Sequence, residues 1–588
     1  MSSSGTPAEL SPVAVEVFWS RLLSVVNEQQ ASLIRTAFST IVRETQDLAC
    51  GVFDRQGRMV AQSVTGTPGH INAMATGMRH FLEKFPPEET AEGDVFITND
   101  PWLTVGQIND ITVVTPVFRA SGVVGYFANT CHAPDIGGRI ISGEANEVFE
   151  EGLRIPMMRL FQRGLPNVAL FDIVRANVRT PDETVGDLHA QVVCNEVGTR
   201  ALITLLEEFD LDSFDHVADD ILRRSETALR RAISEVPNGE YTYSADIDGF
   251  EEPITIAVTV HVTDDSVGLD FTGSSMQSRY GINVVENYTH AYASFAVKAL
   301  LSPDVPHNHG SFNPVSVSAP AGSILNCEEP AAVASRHIVG HFIPGVVLGA
   351  FAKAGVIDRI VAGGADPIWI TVWRGALSDE PRQFTFSQFQ CGGMGARSSK
   401  DGLSNTGFPS GVAGVPTEIM ESLTPLVQVK KAMATDSGGA GTFRGGLGQD
   451  SHVRNRGGQG WAVSVMADRI AHPALGLNGG HPGALAEVTD RNGNSLPTKR
   501  FLRLDADELV KLRLPGGGGF GDPAQRDVDH VKDDVVNGYV SIDAAREVYG
   551  VAIRYEGPED DLVRLPDRFD LDLEATVRLR SGLTQSSR

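Results

Sequence analysis

Cysteine is scarce in this chain. Cys50, Cys131, Cys194, Cys327 and Cys391 are the only five among 588 residues, and they lie far apart without CxxC spacing. That excludes a disulfide framework and fits a reducing, cytoplasmic setting. Long apolar runs are also missing. The best candidate, HFIPGVVLGAFAKAGVI, is broken by Pro344, Gly345 and Lys353 and falls short of the roughly 20 apolar residues of a membrane span. The opening MSSSGTPAELSPVAVEVFWSRL has neither the basic nor the apolar region of a signal peptide. Basic blocks are absent, and Asp and Glu outnumber Lys and Arg by 74 to 49, for a formal charge of -25. Nucleic acid and anionic membranes are therefore not expected partners. What remains, 41% hydrophobic and 21% charged residues, is the composition of a soluble globular protein long enough for about three or four domains.

The patterning predicts an α+β chain of several domains, with mixed and antiparallel sheets. Residues 12–46 carry apolar side chains at helical spacing, and 50–62 read as a hairpin turning at Arg55-Gln56-Gly57. Helix resumes over 70–85 until Pro86-Pro87 ends it. The runs ITVVTPVF and VVGYFANT read as strands, and helix dominates from Leu160 to about Ser234. From Gly239 the pattern changes to period two, with helices expected over 285–302 and 338–358. Residues 390–525 are glycine-rich, as in CGGMGARSSKDG, DSGGAGTFRGGLG and LPGGGGFGD, which suits turns and close backbone contacts in a β structure. A charged helical tail follows, broken at Asn537-Gly538. These shifts suggest a helical N-terminal α+β domain over 1–235, a β-rich domain with packed helices over 236–420, a glycine-rich β region over 421–525 and a helical tail over 526–588.

Two Asp-bearing loops, in NDPWLTVGQINDITVVTPVF and NTCHAPDIGG, flank the strand-like runs. If the runs form one antiparallel hairpin with Arg119 opposite Gly122, paired numbers sum to 241. Asp110 then lies opposite Cys131, one residue from His132. Gln107, Asp110, His132 and Asp135 would crowd one end of a sheet. Two carboxylates and an imidazole suit a divalent cation such as Zn, Mn or Fe, with positions open for water or substrate. The same residues also suit backbone capping and a simple His–Asp ion pair. Asp47 and His70 are further candidates.

Other features carry less. LPGGGGFGD lacks GxxxxGK[ST] and does not fit GxGxxG after a strand, so it reads as a packing turn and not as a phosphate cradle. Cys131 and His132, as strand neighbours, face opposite ways and do not make a thiol–base pair. Arg336, Arg397, Lys400 and Asp401 suit either a substrate anion or structural ion pairs. Asp187 and His189, two apart on a helix, suit structural roles.

The chain resembles the hydantoinase B/oxoprolinase family along nearly its whole length. The likeness is carried by RETQDLACGVFDRQGRMVAQ, GDVFITNDPW, NDITVVTPVF with HAPDIGG, EEGLRIP, VRTPDETVGDLHAQ, LDFTGSS, GGMGARSSKDGLSNTGFPSGV, TDSGGAGTFRGGLG and LPGGGGFGDPAQRD. This resemblance implies a B-type subunit in a hetero-oligomer with an A-type partner of actin-like ATPase fold. ATP is expected on that partner, which phosphorylates a substrate amide, enolate or carbonate. It implies an ATP-dependent hydrolase of a hydantoin, lactam or oxoproline-like ring, with a ketone carboxylase of the acetone or acetophenone type as the alternative. The ligand positions it implies fall on Asp47, Gln107, Asp110, His132 and Asp135, with Asp47, His132 and Asp135 as catalytic groups. The chain departs at Gln107, where histidine is usual, so a harder metal, weaker binding or a metal-free scaffold are all open. Asn109 also replaces the common proline, a change expected to loosen the loop.

Overall fold

A computed structural model describes residues 10–139, 141–377, 383–558 and 563–586. The chain forms two compact units, each assembled from separated segments. The first comprises 1–245, 255–355 and 409–415, and the second 246–254, 356–408 and 416–588. The secondary structure is α+β, with open and mostly antiparallel sheets among the described residues.

The first unit is built on a seven-stranded sheet. In chain order its strands are β1 (Leu48–Asp54), β2 (Met59–Gln62), β3 (Val95–Thr98), β4 (Asp110–Arg119), β5 (Gly122–His132), β6 (Met158–Gln162) and β7 (Leu165–Pro166). Their spatial order is β2-β1-β5-β4-β3-β6-β7, antiparallel throughout. The central strands are buried on both faces, so they read as near-continuous apolar runs. Alternate residues still part cleanly. Cys50, Val52, Phe127 and Cys131 pack under α1 (Pro12–Thr36) and, further along the chain, Pro181–Glu208 and Asp215–Ile233. Ala49, Phe53, Ala128 and Val114 face α2 (Pro68–Lys84).

α1 begins where expected, with Ser11 Oγ accepting from Ala14 N and Pro12 in the first turn. It stops at Thr36, and residues 41–45 form a single π turn instead of continuing the helix. The predicted helix from Leu160 is also corrected. Leu160 lies in β6, a short and mostly half-buried strand whose pairing with β3 is irregular at this point, too brief to show a period-two pattern. Helix begins only at Val168. The period-two stretch after Gly239 is a four-stranded sheet of Gly239–Ile247, Ile254–Thr263, Ser266–Asp270 and Val315–Ser318. The C-terminal tail breaks at Gly538, whose φ is 71°. Besides the expected helices it holds a small antiparallel pair, Ala552–Tyr555 with Phe569–Asp572.

In the second unit, the LPGGGGFGD run is the centre of a glycine web. The amides of Gly516, Gly517, Gly518 and Gly519 donate to the carbonyls of Ala484, Gly446, Gly363 and His481 at 2.8–3.3 Å. None remains to cradle a phosphate. A Cβ on these four glycines would overlap the carbonyl oxygens of Ser437, Met394, Leu475 and Ala440. Glycine is required here by crowding, since none of the four has positive φ. Asp401 is likewise structural: it accepts from both terminal nitrogens of Arg526 at 2.7 Å, and Arg526 and Arg444 share Asp534.

Gly517→Ala is therefore expected to cost about 2–3 kcal/mol or more, read as a lowered denaturant midpoint. Gly582→Ala, on an open helix face with nothing within 4 Å, is expected to be neutral or slightly stabilising.

Candidate active site

Three adjacent strands end together. Asp47 precedes β1, His132 closes β5 and Asp110 opens β4. The hairpin turns as expected, with Arg119 opposite Gly122, but a bulge at Val124 changes the register. Beyond it, Val117 pairs with Gly125 and Asp110 lies directly opposite His132, not Cys131. That one residue matters, because directly opposed residues share a face. Cys131 turns into the core beneath α1, where burial holds its thiol well above its ordinary pKa. His132 turns toward α2 and finds Asp110.

Asp110 is fully buried and receives four partners. Its Oδ1 lies 2.8 Å from His132 Nδ1 and accepts from Gln107 Nε2 at 2.9 Å. Its Oδ2 lies 3.0 Å from His70 Nε2 and 2.5 Å from Arg336 Nη2. Burial alone would raise this carboxyl, but His70, Arg336 and His132 outweigh it and hold Asp110 well below the ordinary carboxylate range. Burial would lower His70, but the Asp110 and Asp47 carboxylates outweigh it and hold that imidazole raised.

The backbone around these groups is specialised. Gln46, in the left-handed region at φ 54°, ends the π turn and delivers Asp47, an arrangement often found at functional sites. Asp47 Oδ1 accepts from Thr67 Oγ1 at 3.0 Å, and its Oδ2 is 3.9 Å from His132 Nδ1. A Cβ on Gly69 would lie 2.6 Å from Tyr288, so only glycine lets the first turn of α2 bring His70 this close. Arg336 runs past Gly106, donates to Val105 O at 2.9 Å and stacks 4.0 Å over Tyr288. Asn109 braces its loop: its carbonyl accepts from Ala133 N at 2.7 Å and its amide reaches Ala133 O at 3.3 Å.

The structure thus brings together Asp47, Gln107, Asp110, His132 and the further candidate His70, and joins Arg336 to them. Asp135 stands apart from this group, with its carboxylate accepting from the backbone N and Nη1 of Arg179 and from Gly137 N. Asp187 and His189 take structural roles: Asp187 caps the amides of Phe38 and Ser39, and His189 stacks on Phe171 at 5.0 Å. In NDPW, Asn99 and Asp100 tie down the EEGLRIP segment through Ile155 N and Arg154.

The donor set matches a divalent cation in kind. Gln107, Asp110 and His132 converge at 2.8–2.9 Å from one another, near the roughly 3 Å spacing of ligand atoms held at 2.0–2.2 Å from one ion. Gln107 now donates to Asp110, so ligation would require its amide to turn its oxygen inward. As arranged, no group of three or more His, Cys, Asp or Glu forms a metal shell among the described residues.

Glu151 was not singled out by the sequence. Its Oε1 accepts from Val333 N and Ala334 N at 2.6 and 2.7 Å, anchoring the turn that leads to Arg336, and its Oε2 has no partner. Burial pushes its carboxyl up to about 8. A folded-state pKa above the unfolded one gives stability that is full below about pH 4.3 and declines as pH rises toward 8. Glu151→Gln keeps the Oε1 acceptor and removes this loss. Relative to wild type it should gain about 1 kcal/mol at pH 5, growing to about 4 kcal/mol toward pH 8, measured by urea unfolding at each pH.

A profile of the hydantoinase B/oxoprolinase family matches residues 11–523. The B component of a putative D-/L-hydantoinase from Pseudomonas sp. is 26% identical over 97% of this chain and 98% of its own length. The crystal structure of the ATP-dependent caprolactamase from Pseudomonas jessenii superposes with a TM-score of 0.86 at 26% identity, covering 97% of this chain and 100% of that one. A nucleotide-free acetone carboxylase structure shares the fold, with a TM-score of 0.85 at 19% identity over 98% of this chain and 83% of that one. On the profile match over most of its length, the chain belongs to the hydantoinase B/oxoprolinase family.

Proposed function

We propose that this chain is the B-type subunit of an ATP-dependent cyclic amidase that opens a hydantoin, lactam or oxoproline-like ring. The observation that carries the reading is the convergence of Asp47, Asp110, His132 and His70 at one sheet end, in a chain similar to a hydantoinase B component and to an ATP-dependent caprolactamase. The naming of these relatives as components of larger enzymes supports a hetero-oligomer with an A-type ATPase that binds ATP and phosphorylates the amide oxygen. No helix among the described residues is long and apolar enough to cross a membrane. All five cysteines are free and buried, which supports a cytoplasmic location.

Within this chain, Asp47 acts as general base. Thr67 holds one of its oxygens, leaving Oδ2 to take a proton from the attacking water. His132, fixed by Asp110 at Nδ1, and His70, on the other Asp110 oxygen, are placed to move a proton to the departing ring nitrogen. Arg336 keeps Asp110 ionised and both imidazoles oriented. Asp135, tied to Arg179, holds the loop that follows His132. A Zn, Mn or Fe ion, when bound by Asp47, Gln107, Asp110 and His132, supplies Lewis acidity at this point. The acetone carboxylase fold supports a second reading, carboxylation of a ketone, which bicarbonate dependence separates from hydrolysis.

The chain co-purified with its A-type partner should turn over a cyclic amide only with ATP, and the isolated chain should not. His132→Ala should lower kcat at least about 100-fold and remove a metal present at about one ion per chain. ATP-independent turnover by the chain alone would sink the proposal. Full activity in His132→Ala would instead favour a scaffold with a degenerate site.

A further inference from the structure

Two histidines beside this site take no part in the steps above. Arg336 leads into a short helix, His337–Gly340, and His341 follows it. The two imidazoles sit four residues apart on one helical face, with ring centroids 5.8 Å apart. Their relative exposures are 3% and 2%. Both ring nitrogens of His337, and Nδ1 of His341, have no hydrogen-bond partner. Buried polar groups are nearly always paired in folded proteins, and each exception asks for an explanation. Unpartnered nitrogens on two rings of one helical face, next to the residue that grips Asp110, point to a ligand that pairs with one nitrogen of each ring.

The chemistry of that ligand follows from the groups. Burial, then the neighbouring His341 and Arg336, keep His337 neutral; burial, then Arg336 and His70, bring His341 down to about 3. A neutral imidazole offers one donor and one acceptor. In a small lactam or hydantoin ring the amide is held cis, so oxygen and nitrogen project side by side from one edge. Two imidazoles match that edge, one opposite the oxygen and one opposite the nitrogen. Tautomer exchange lets the second serve the ring nitrogen as N–H in the amide and as a bare acceptor once the oxygen is phosphorylated. A ketone has only the oxygen and would leave one imidazole nitrogen unpaired. Geometry places both rings beside the reacting groups: His337 directly follows Arg336, which reaches Asp110 Oδ2 at 2.5 Å, and His341 packs edge-on against Tyr292, whose neighbour Tyr288 lies under Arg336.

We propose that His337 and His341 recognise the O–C–N edge of the substrate ring, and so select a cyclic amide over a ketone. The proposal rests on the amidase reading. Its test uses the complex with the A-type partner, with 2-piperidone and hydantoin as cyclic amides and cyclohexanone as a ring lacking the nitrogen. The variants are His337→Leu, which has no polar atoms, and His337→Asn, which keeps a donor and an acceptor. Leucine should raise KM for the cyclic amide about tenfold or more, with kcat and metal content little changed. Asparagine should recover part of that loss. Wild type should bind cyclohexanone about tenfold more weakly than 2-piperidone, and leucine should erase the preference. An unchanged KM in an active leucine variant would overturn the recognition role alone. Equal loss for both rings would overturn it too, as would loss of the metal, which would make His337 a ligand. No turnover of any cyclic amide by wild type would overturn the amidase reading and this proposal together.

Discussion

A carboxylate buried as completely as Asp110 stays ionised only if the protein supplies what water would have supplied. Here the supply comes from four stretches of chain: the first turn of α2 (His70), the loop before β4 (Gln107), the end of β5 (His132) and the turn after residue 333 (Arg336). One charge therefore sets the relative placement of helix, sheet end and connecting turn. Much of the unusual local structure answers to it. Gly69 and Gly106 lack side chains where Tyr288 and Arg336 must come close, and Glu151 holds the backbone from which Arg336 reaches in.

Placement of the imidazoles depends on a second constraint, the parity of the sheet. Without the bulge at Val124, His132 would be out of step with Asp110 and Cys131 would stand in its place. With it, β5 presents His132 to the α2 face and hides the thiol on the other. The π turn before β1 works in the same sense, since it ends in a left-handed residue that turns Asp47 toward the same point. The site is thus made by irregularities in otherwise regular elements, each of which shifts the chain by about one residue.

The glycine-rich second unit obeys different physics. Its extended segments approach until backbone touches backbone, with carbonyls where side chains would otherwise be. Hydrogen bonding there is satisfied within the web, which leaves the run at 514–521 no amides for a ligand. Dense glycine in this unit is an architectural material.

Much was determined by local chemistry and so was legible in sequence. Apolar residues at helical spacing placed α1, Pro86-Pro87 closed α2, alternation placed the sheet after Gly239, and turn residues placed the hairpin that carries Asp110 and His132. Motif order placed the family. The sequence also marked Asp47, Gln107, Asp110, His132 and, as a further candidate, His70. Tertiary structure alone decided the rest. Neither the bulge at Val124 nor the strand at Leu160 has a local signature, because register and burial depend on what packs from far along the chain. Asp135 sits in a motif with His132, yet its partner is Arg179, 44 residues on. Arg336 lies 226 residues from Asp110. His337 and His341 look like any helical pair in RHIVGH until the fold buries them beside it with nitrogens unpaired. Spacing records which neighbours share a turn; only the folded chain determines which distant charges must balance one another.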